Sequence, residues 1–160
     1  MLTHRTQHFL DIENLCGTAD LYPEIVTSTF ADYLHVTKAA PHDQFTVSTS
    51  HHNQKVAAFA LRAIRSPHLL PPRTGPDGAD MALIDGIAAA RMNKDIDRIC
   101  IGSGDHIFAF ALTRLNNLGF HTAAVSRPEA CSLHITRAAS RVVYLPDRTA
   151  THIAYAQEIA

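Results

Sequence analysis

Apolar and polar residues follow one another along this chain in blocks that switch between a period of two and a period near 3.6. His8–Asp11 closes a short apolar run that reads as a first strand. Over Ala19–Lys38 the apolar residues Leu21, Ile25, Val26, Phe30, Tyr33, Leu34 and Val36 recur at the spacing of an amphipathic helix. Pro41 and Asp43 mark a turn, and Gln44–Ser50 alternates in strand fashion. Asn53–Arg65 predicts a helix through Val56, Ala57, Phe59, Ala60 and Ile64, and Pro67 and the Pro71-Pro72 pair interrupt it. The polar loop Arg73–Ala79, RTGPDGA, leads into a helix over Ala79–Met92. Arg98–Gly102 reads as a compact buried strand, and His106–Leu118 as a helix that stops at Gly119. A strand at Thr122–Ser126, a short helix near Ser132–Ala139 and a strand at Val142–Leu145 follow. Asp147–Ala160 reads as a docked terminal helix or a tail.

Strands that alternate with helices pair in parallel through crossovers. The expected architecture is a three-layer α/β/α sandwich around a central, mostly parallel sheet of about five strands. Residues 1–146 would form this domain, with 147–160 as the appended helix or tail. At 160 residues the chain suits one domain with a substantial core. Its hydrophobic fraction of 46% and charged fraction of 18% are ordinary for a soluble globular protein. No apolar run is long enough to cross a bilayer, so no membrane partner is expected, and MLTHRTQHF lacks the apolar core of a secretory signal. Cys16, Cys100 and Cys131 are odd in number and lack metal-type spacing, which favours a cytoplasmic thiol protein over a disulfide framework. A formal net charge of −1 excludes a strongly basic surface overall, although cations can still gather on one face. The 11 histidines include no HExxH motif of the kind that builds a zinc site on a helix.

The candidate chemistry lies in three acidic motifs, each where an apolar run stops. They are HFLDIENL at His8–Leu15, GADMALID at Gly78–Asp85 and IGSGDHIF at Ile101–Phe108. In an open parallel sheet the carboxyl ends of strands share one edge, so residues distant in sequence meet in one crevice. Carboxylates gathered there repel, and a hard divalent cation relieves the repulsion. The expected metal ligands are therefore Asp11, Asp80 and Asp105. Each has a plainer reading: Asp11 as a turn or N-cap residue, Asp80 as a helix-start acid in competition with Asp77, and Asp105 as a cap. Asp85, one turn beyond Asp80, is a secondary candidate, and Glu13 points either to the site or to solvent. Asn14 suits a phosphate or a metal-bound water. Ser103 lies between two glycines in a turn that brings backbone amides close to a ligand. His106, His51 and Arg127 are candidate contacts to a phosphate-bearing substrate, and each is otherwise a surface residue. No GxxxxGK or GxGxxG motif is present, and GSGD is not a GxSxG elbow, which argues against nucleotide cofactors and acyl transfer.

Taken in order, FLDIENL, GADMALIDGIAAA and ICIGSGDHIFAFALTRLNNLGFHTAAVS resemble the NYN branch of the PIN-like nuclease superfamily. The similarity runs from about His8 to Leu145. The branch carries an Asp-x-x-Asn element, matched by Asp11 and Asn14, an Asp opening a middle helix, matched by Asp80, and a Ser-Gly-Asp motif, matched by Ser103-Gly104-Asp105. The resemblance implies a Rossmann-like fold and metal-dependent cleavage of RNA, single-stranded or looped, with Mg2+ or Mn2+ as cofactor. It also implies catalytic roles for Asp11, Asn14, Asp80, Ser103 and Asp105. Two departures stand out. Ile107 occupies the place of a second acid common among relatives, and a later acidic position corresponds to Ser140. The expected function is thus a metal-dependent endoribonuclease, and the alternative is a degenerate NYN-type module that binds RNA or protein without cutting. Apolar helices such as Phe108–Leu118 also leave a homo-oligomeric interface open.

Overall fold

The structure, a computed structural model, describes residues 5–148. Six strands form one sheet: β1 (Arg5–Asp11), β2 (Gln44–Ser48), β3 (His68–Leu69), β4 (Ile96–Gly102), β5 (His121–Ser126) and β6 (Arg141–Tyr144). Their spatial order is β3-β2-β1-β4-β5-β6, and every pairing is parallel. The sheet therefore has one strand more than the expected five. The extra strand, β3, is two residues long and pairs only with β2, at the edge. Prolines flank it at Pro67 and Pro71, and only an edge strand tolerates such neighbours because one side needs no ladder donors.

The helices are α1 (Ile12–Cys16), α2 (Pro23–Thr37), α3 (Gln54–Arg62), α4 (Gly78–Ala90), α5 (Ala109–Asn117) and α6 (Leu133–Ala138). Pro23 starts α2 at its first position, so the helix begins four residues later than the apolar spacing predicts. Between Asp11 and α2 the chain forms the single turn α1, which Gly17 ends in the left-handed conformation at φ 68°. The core splits across the sheet. Leu10, Phe30, Tyr33, Val47 and Leu61 pack on the α1–α3 face. Phe9, Leu83, Ile99, Phe108 and Leu112 pack on the α4–α6 face. Neighbouring Phe9 and Leu10 thus serve opposite layers, as the pleat requires. The terminal segment expected over Asp147–Ala160 lies outside the described residues beyond Arg148. Among the described residues no helix is long and apolar enough to cross a membrane, and Cys16, Cys100 and Cys131 carry free thiols.

This order places a topological switch point between β1 and β4. The chain leaves β1 toward β2 and β3, then returns to build β4, β5 and β6 on the other side. Open α/β sheets bind ligands beyond the carboxyl ends of such strands.

Candidate active site

Asp11 is the last residue of β1, and Ser103 follows the last residue of β4. Residues two apart on a strand share a face, so Asp11 projects on the same side as Phe9, the side covered by α4. The first turn of α4 carries Asp80. Asp11 and Asp80 line the same cleft, near enough that the charge of Asp80 adds to the rise in the Asp11 pKa. Asp105, in the turn after β4, completes one wall. All three expected acids line a single cleft of about 500 Å3, together with Glu13, Asn14 and Asp77. Larger grooves of about 1040 and 610 Å3 lie at the opposite, N-terminal edge of the strands. The acids mark the smaller one as the candidate for chemistry.

A network of short bonds fixes the geometry. The Ser103 hydroxyl donates to Asp11 Oδ2 at 3.1 Å, and the Asn14 N–H donates to Asp11 Oδ1 at 3.3 Å. Ser103 Oγ also accepts from the Asp105 N–H at 3.2 Å. Asn14 Oδ1 accepts from the Gly104 N–H at 3.0 Å, which ties the β1 and β4 ends together. Asp105 Oδ1 accepts from the Ile107 N–H at 3.0 Å and lies 3.0 Å from His106 Nδ1. Asp11 and Asp105 are therefore caps and cleft acids at once. Ser103 is fully buried, so its hydroxyl positions Asp11 rather than reaching solvent.

The electrostatics are those of an uncompensated acidic cluster. Burial raises Asp11 to a pKa of about 7, with the Asp80 charge adding to it. Burial raises Asp80 to about 6, helped by Asp105, Asp77 and Glu13. The N-terminus of α4 favours an ionised Asp80, yet desolvation and three neighbouring acids outweigh it. Among the described residues no Lys or Arg forms an ion pair with Asp11, Asp80 or Asp105. Arg73 lines the cleft, but its guanidinium is 2.7 Å from Asp85. That pair keeps Asp85 out of the cleft, where the motif spacing had allowed it.

No cluster of three or more His, Cys, Asp or Glu side chains forms a ready-made metal cage among the described residues. The Asp11–Asp80 pair still fits a hydrated ion of the Mg2+ type, which keeps several waters and takes only one or two protein carboxylates. The misfit is with a tightly caged metal.

Glu13 and Asp77 enlarge the acid set beyond the three expected. Glu13 Oε1 accepts from the Ser50 N–H at 2.9 Å, from the Ser50 hydroxyl and from the Asn53 side-chain amide, so it faces the cleft and braces the end of β2. Asp77 holds a left-handed φ of 58° at the start of α4 with no side-chain capping bond. Its place in a Pro-Asp-Gly turn was the available signal. Asn53, which is buried, offered none.

The expected substrate contacts divide. His106 is exposed beside Asp105. His51 is exposed, with Nε2 3.4 Å from the Thr74 hydroxyl of the RTGPDGA loop. Arg127 is a correction: only 5% exposed, it lies outside the cleft. Its Nε donates to the Leu15 carbonyl at 2.8 Å, and Arg148 Nη2 donates to the Cys16 carbonyl. Both arginines satisfy end carbonyls of α1, whose last turn carries no cation of its own. Arg127→Ala is expected to lower stability by about 1–3 kcal/mol, the usual effect of losing a charged hydrogen bond, with partial recovery in Arg127→Lys; thermal melting measures it. Ser140 is a second correction. It lies just before β6, at the opposite end of the sheet, bonded to Thr122 and Asn116, so it cannot stand for a cleft acid. Ile107 packs against the α4–α6 core.

A family model described as NYN domain matches residues 3–146. No curated protein matches the chain. A crystal structure of a protein of unknown function from Vibrio parahaemolyticus is similar at a TM-score of 0.61 and 17% identity, over 90% of this chain and 94% of that one. The nicotinamidase of Staphylococcus aureus aligns at a TM-score of 0.40 and 15% identity, over 85% of this chain and 87% of that one, a likeness too loose to bear on fold or function.

Proposed function

The chain belongs to the NYN domain family, and from that premise we propose that it is a metal-dependent endoribonuclease working at the Asp11–Asp80–Asp105 cleft. NYN domains are RNase-like members of the PIN superfamily, and nucleases of this kind generally use divalent metals. The observation that carries the reading is the meeting of Asp11 and Asp80 at the switch point with no basic partner.

Asp11 and Asp80 would hold Mg2+ or Mn2+, with Asp105 reaching it through water. A divalent cation there would compensate the carboxylates and lower the pKa of an attacking water. The chain's own residues do the rest. Ser103 and the Asn14 N–H hold the Asp11 carboxyl in one orientation, and Glu13 keeps the cleft wall attached to β2. Asn14 offers its side-chain NH2 to a phosphate, because only its oxygen is used in the bond to Gly104. His106, beside Asp105, and His51, beside Thr74 of the RTGPDGA loop, would contact an incoming strand from outside the cleft lining. The substrate is single-stranded or looped RNA, since no element is shaped to enter a helical groove.

The non-cleaving alternative is favoured by one observation, the packing of Ile107 into the core where relatives often place an acid. A labelled RNA incubated with Mn2+, and with EDTA as control, separates the two. Metal-dependent cleavage supports the nuclease, and binding without cleavage in either buffer contradicts it.

The raised carboxyl pKa values give a stability test. Asp11 at about 7 and Asp80 at about 6 lie above the ordinary 3.8. The folded protein therefore keeps protons that the unfolded chain releases. These two carboxyls should favour the metal-free fold most near about pH 4, less as pH rises through the window up to about 7, and no less beyond it, against an opposite slope from buried His8 between about 4 and its ordinary 6.5. Half-exposed Asp80 contributes less than buried Asp11. The difference in melting temperature between Asp11→Asn and the wild type in EDTA isolates the Asp11 share from that of His8: it should grow as pH rises through this window, and a difference independent of pH would contradict the assigned environment.

A further inference from the structure

The cavity of about 610 Å3 at the N-terminal edge of the sheet is lined by Lys38, His42, Arg98, His121 and Arg141. All five are exposed. Strand register brings them together. Arg98 is the partner of His121 across β4 and β5, and Arg141 of Ala123, two residues further along β5. Residues two apart share a face, so Arg98, His121 and Arg141 project on one side, that of α2. Lys38 arrives from the end of α2 in a left-handed conformation, with its N–H turned back to the His35 and Leu34 carbonyls. His42 comes from the turn before β2.

One carboxylate, Asp43, borders the cavity, and its oxygens are already engaged. Oδ1 accepts from the Thr6 N–H at 3.1 Å. Oδ2 accepts from the Ala40 N–H at 2.7 Å and lies 3.5 Å from His8 Nε2. His8 itself adds no charge near neutrality, because burial lowers its pKa to about 4. In a chain of net charge −1, the cations Lys38, Arg98 and Arg141 thus share the lining of one pocket with a single carboxylate among the described residues, Asp43.

We propose that this cavity binds phosphate groups, presented by a free nucleotide or by the backbone of an RNA strand. Guanidinium forks match phosphate oxygens in pairs, and Arg98 and Arg141 place two such forks on adjacent faces of one pocket. The volume suits a nucleotide-sized ligand. The site lies across the sheet from the acidic cleft and needs no divalent cation, so it goes beyond the cleavage reading and stands without it.

The test is fluorescence anisotropy of a labelled poly(U) oligonucleotide in EDTA, with unlabelled inorganic pyrophosphate and AMP as competitors. Wild-type protein should bind the oligonucleotide, or bind AMP or pyrophosphate in direct calorimetry, with affinity that falls as salt rises. The Arg98→Ala/Arg141→Ala double variant should bind at least about tenfold more weakly, with a log–log salt slope shallower by about two, one unit for each lost phosphate contact. Arg98→Lys/Arg141→Lys should keep the wild-type salt slope but recover only part of the affinity, because an ammonium restores the charge and not the fork. Arg114→Ala, an exposed cation on α5, should change nothing. Displacement by pyrophosphate or AMP identifies a nucleotide-type ligand, and resistance to both identifies a backbone. No binding of any probe by the wild type, or a folded double variant that binds like the wild type, overturns the proposal. Melting of each variant confirms that it is folded, and loss in the double variant with no recovery of the salt slope in the lysine pair counts against a phosphate site.

Discussion

Asp11→Asn should abolish metal-dependent cleavage of RNA and yet, in EDTA at about pH 8, melt later than the wild type. The two halves follow from the same carboxyl. Asp11 is buried, beside Asp80, and its pKa of about 7 records how poorly the site tolerates its charge. At about pH 8 the folded wild type carries that charge without a cation. Asn keeps the shape, and its one carbonyl oxygen can still accept from the Asn14 N–H as the cap of α1, while its NH2 donates to Ser103 Oγ instead of accepting from it, and it is neutral at every pH. Removing the charge should stabilise the metal-free fold by a few kcal/mol, or on the order of 5–10 °C in Tm for a chain of this length. The same change removes a metal ligand. Activity should fall by more than the roughly 100-fold that loss of an outer partner of a metal ligand produces. A residue that matters only for folding would do the reverse, lowering both stability and activity. Full cleavage by the variant, or a lower Tm in EDTA, would contradict the assignment.

Gly104→Ala should be the most damaging small substitution in the site. A Cβ there would lie 2.2 Å from the Ala130 carbonyl oxygen and 2.3 Å from Ser126 Oγ. The first contact is backbone, so neither a rotamer change nor a flexible chain end relieves it. Gly104 also donates to Asn14 Oδ1, and its carbonyl accepts from the Ser132 N–H at 2.9 Å. Any shift is passed on to Asn14, to Asp105 and to the start of α6. The expected loss is about 3 kcal/mol or more, at or above the upper end for overpacking, with Tm lower by on the order of 10 °C. Gly86→Ala is the control. Its Cβ would meet the Phe9 ring at 3.4 Å and Leu70 Cδ1 at 3.8 Å, ordinary contacts with side chains, and alanine is about 1 kcal/mol the better helix former. Its melting temperature should stay near that of the wild type. Equal behaviour of the two variants would contradict the close approach at Gly104.

The long elements were legible because each buries one face with a regular period. The spacing over Leu21–Val36 identified α2, and the strand–helix alternation identified a parallel three-layer fold. Short elements escaped for the opposite reason. The single turn α1 has too few residues to show a period, and β3 has two residues between prolines. At the site, Asp11 and Asp105 could be found because each follows an apolar strand, and Asp80 because it opens an apolar-periodic helix after a polar loop, positions that chain topology delivers to the sheet edge. Arg127 was misread because its partner, the Leu15 carbonyl, is 112 residues away and leaves no local trace. Ser140 was misplaced for a related reason: spacing located it near β6 without saying at which end. Glu13 could be decided only by its bonds to Ser50 and Asn53, which come from the next strand end.

The central claim is that a divalent cation offsets the repulsion between Asp11 and Asp80, and calorimetric titration of Mn2+ into the metal-free protein at about pH 7 tests it most directly. Because Asp11 and Asp80 are part-protonated there, binding should release protons, visible as a heat that changes with the ionisation enthalpy of the buffer. Asp11→Asn should lose both the binding and the proton release while staying folded. Equal Mn2+ binding by the wild type and the variant, or none by the wild type, would contradict the account.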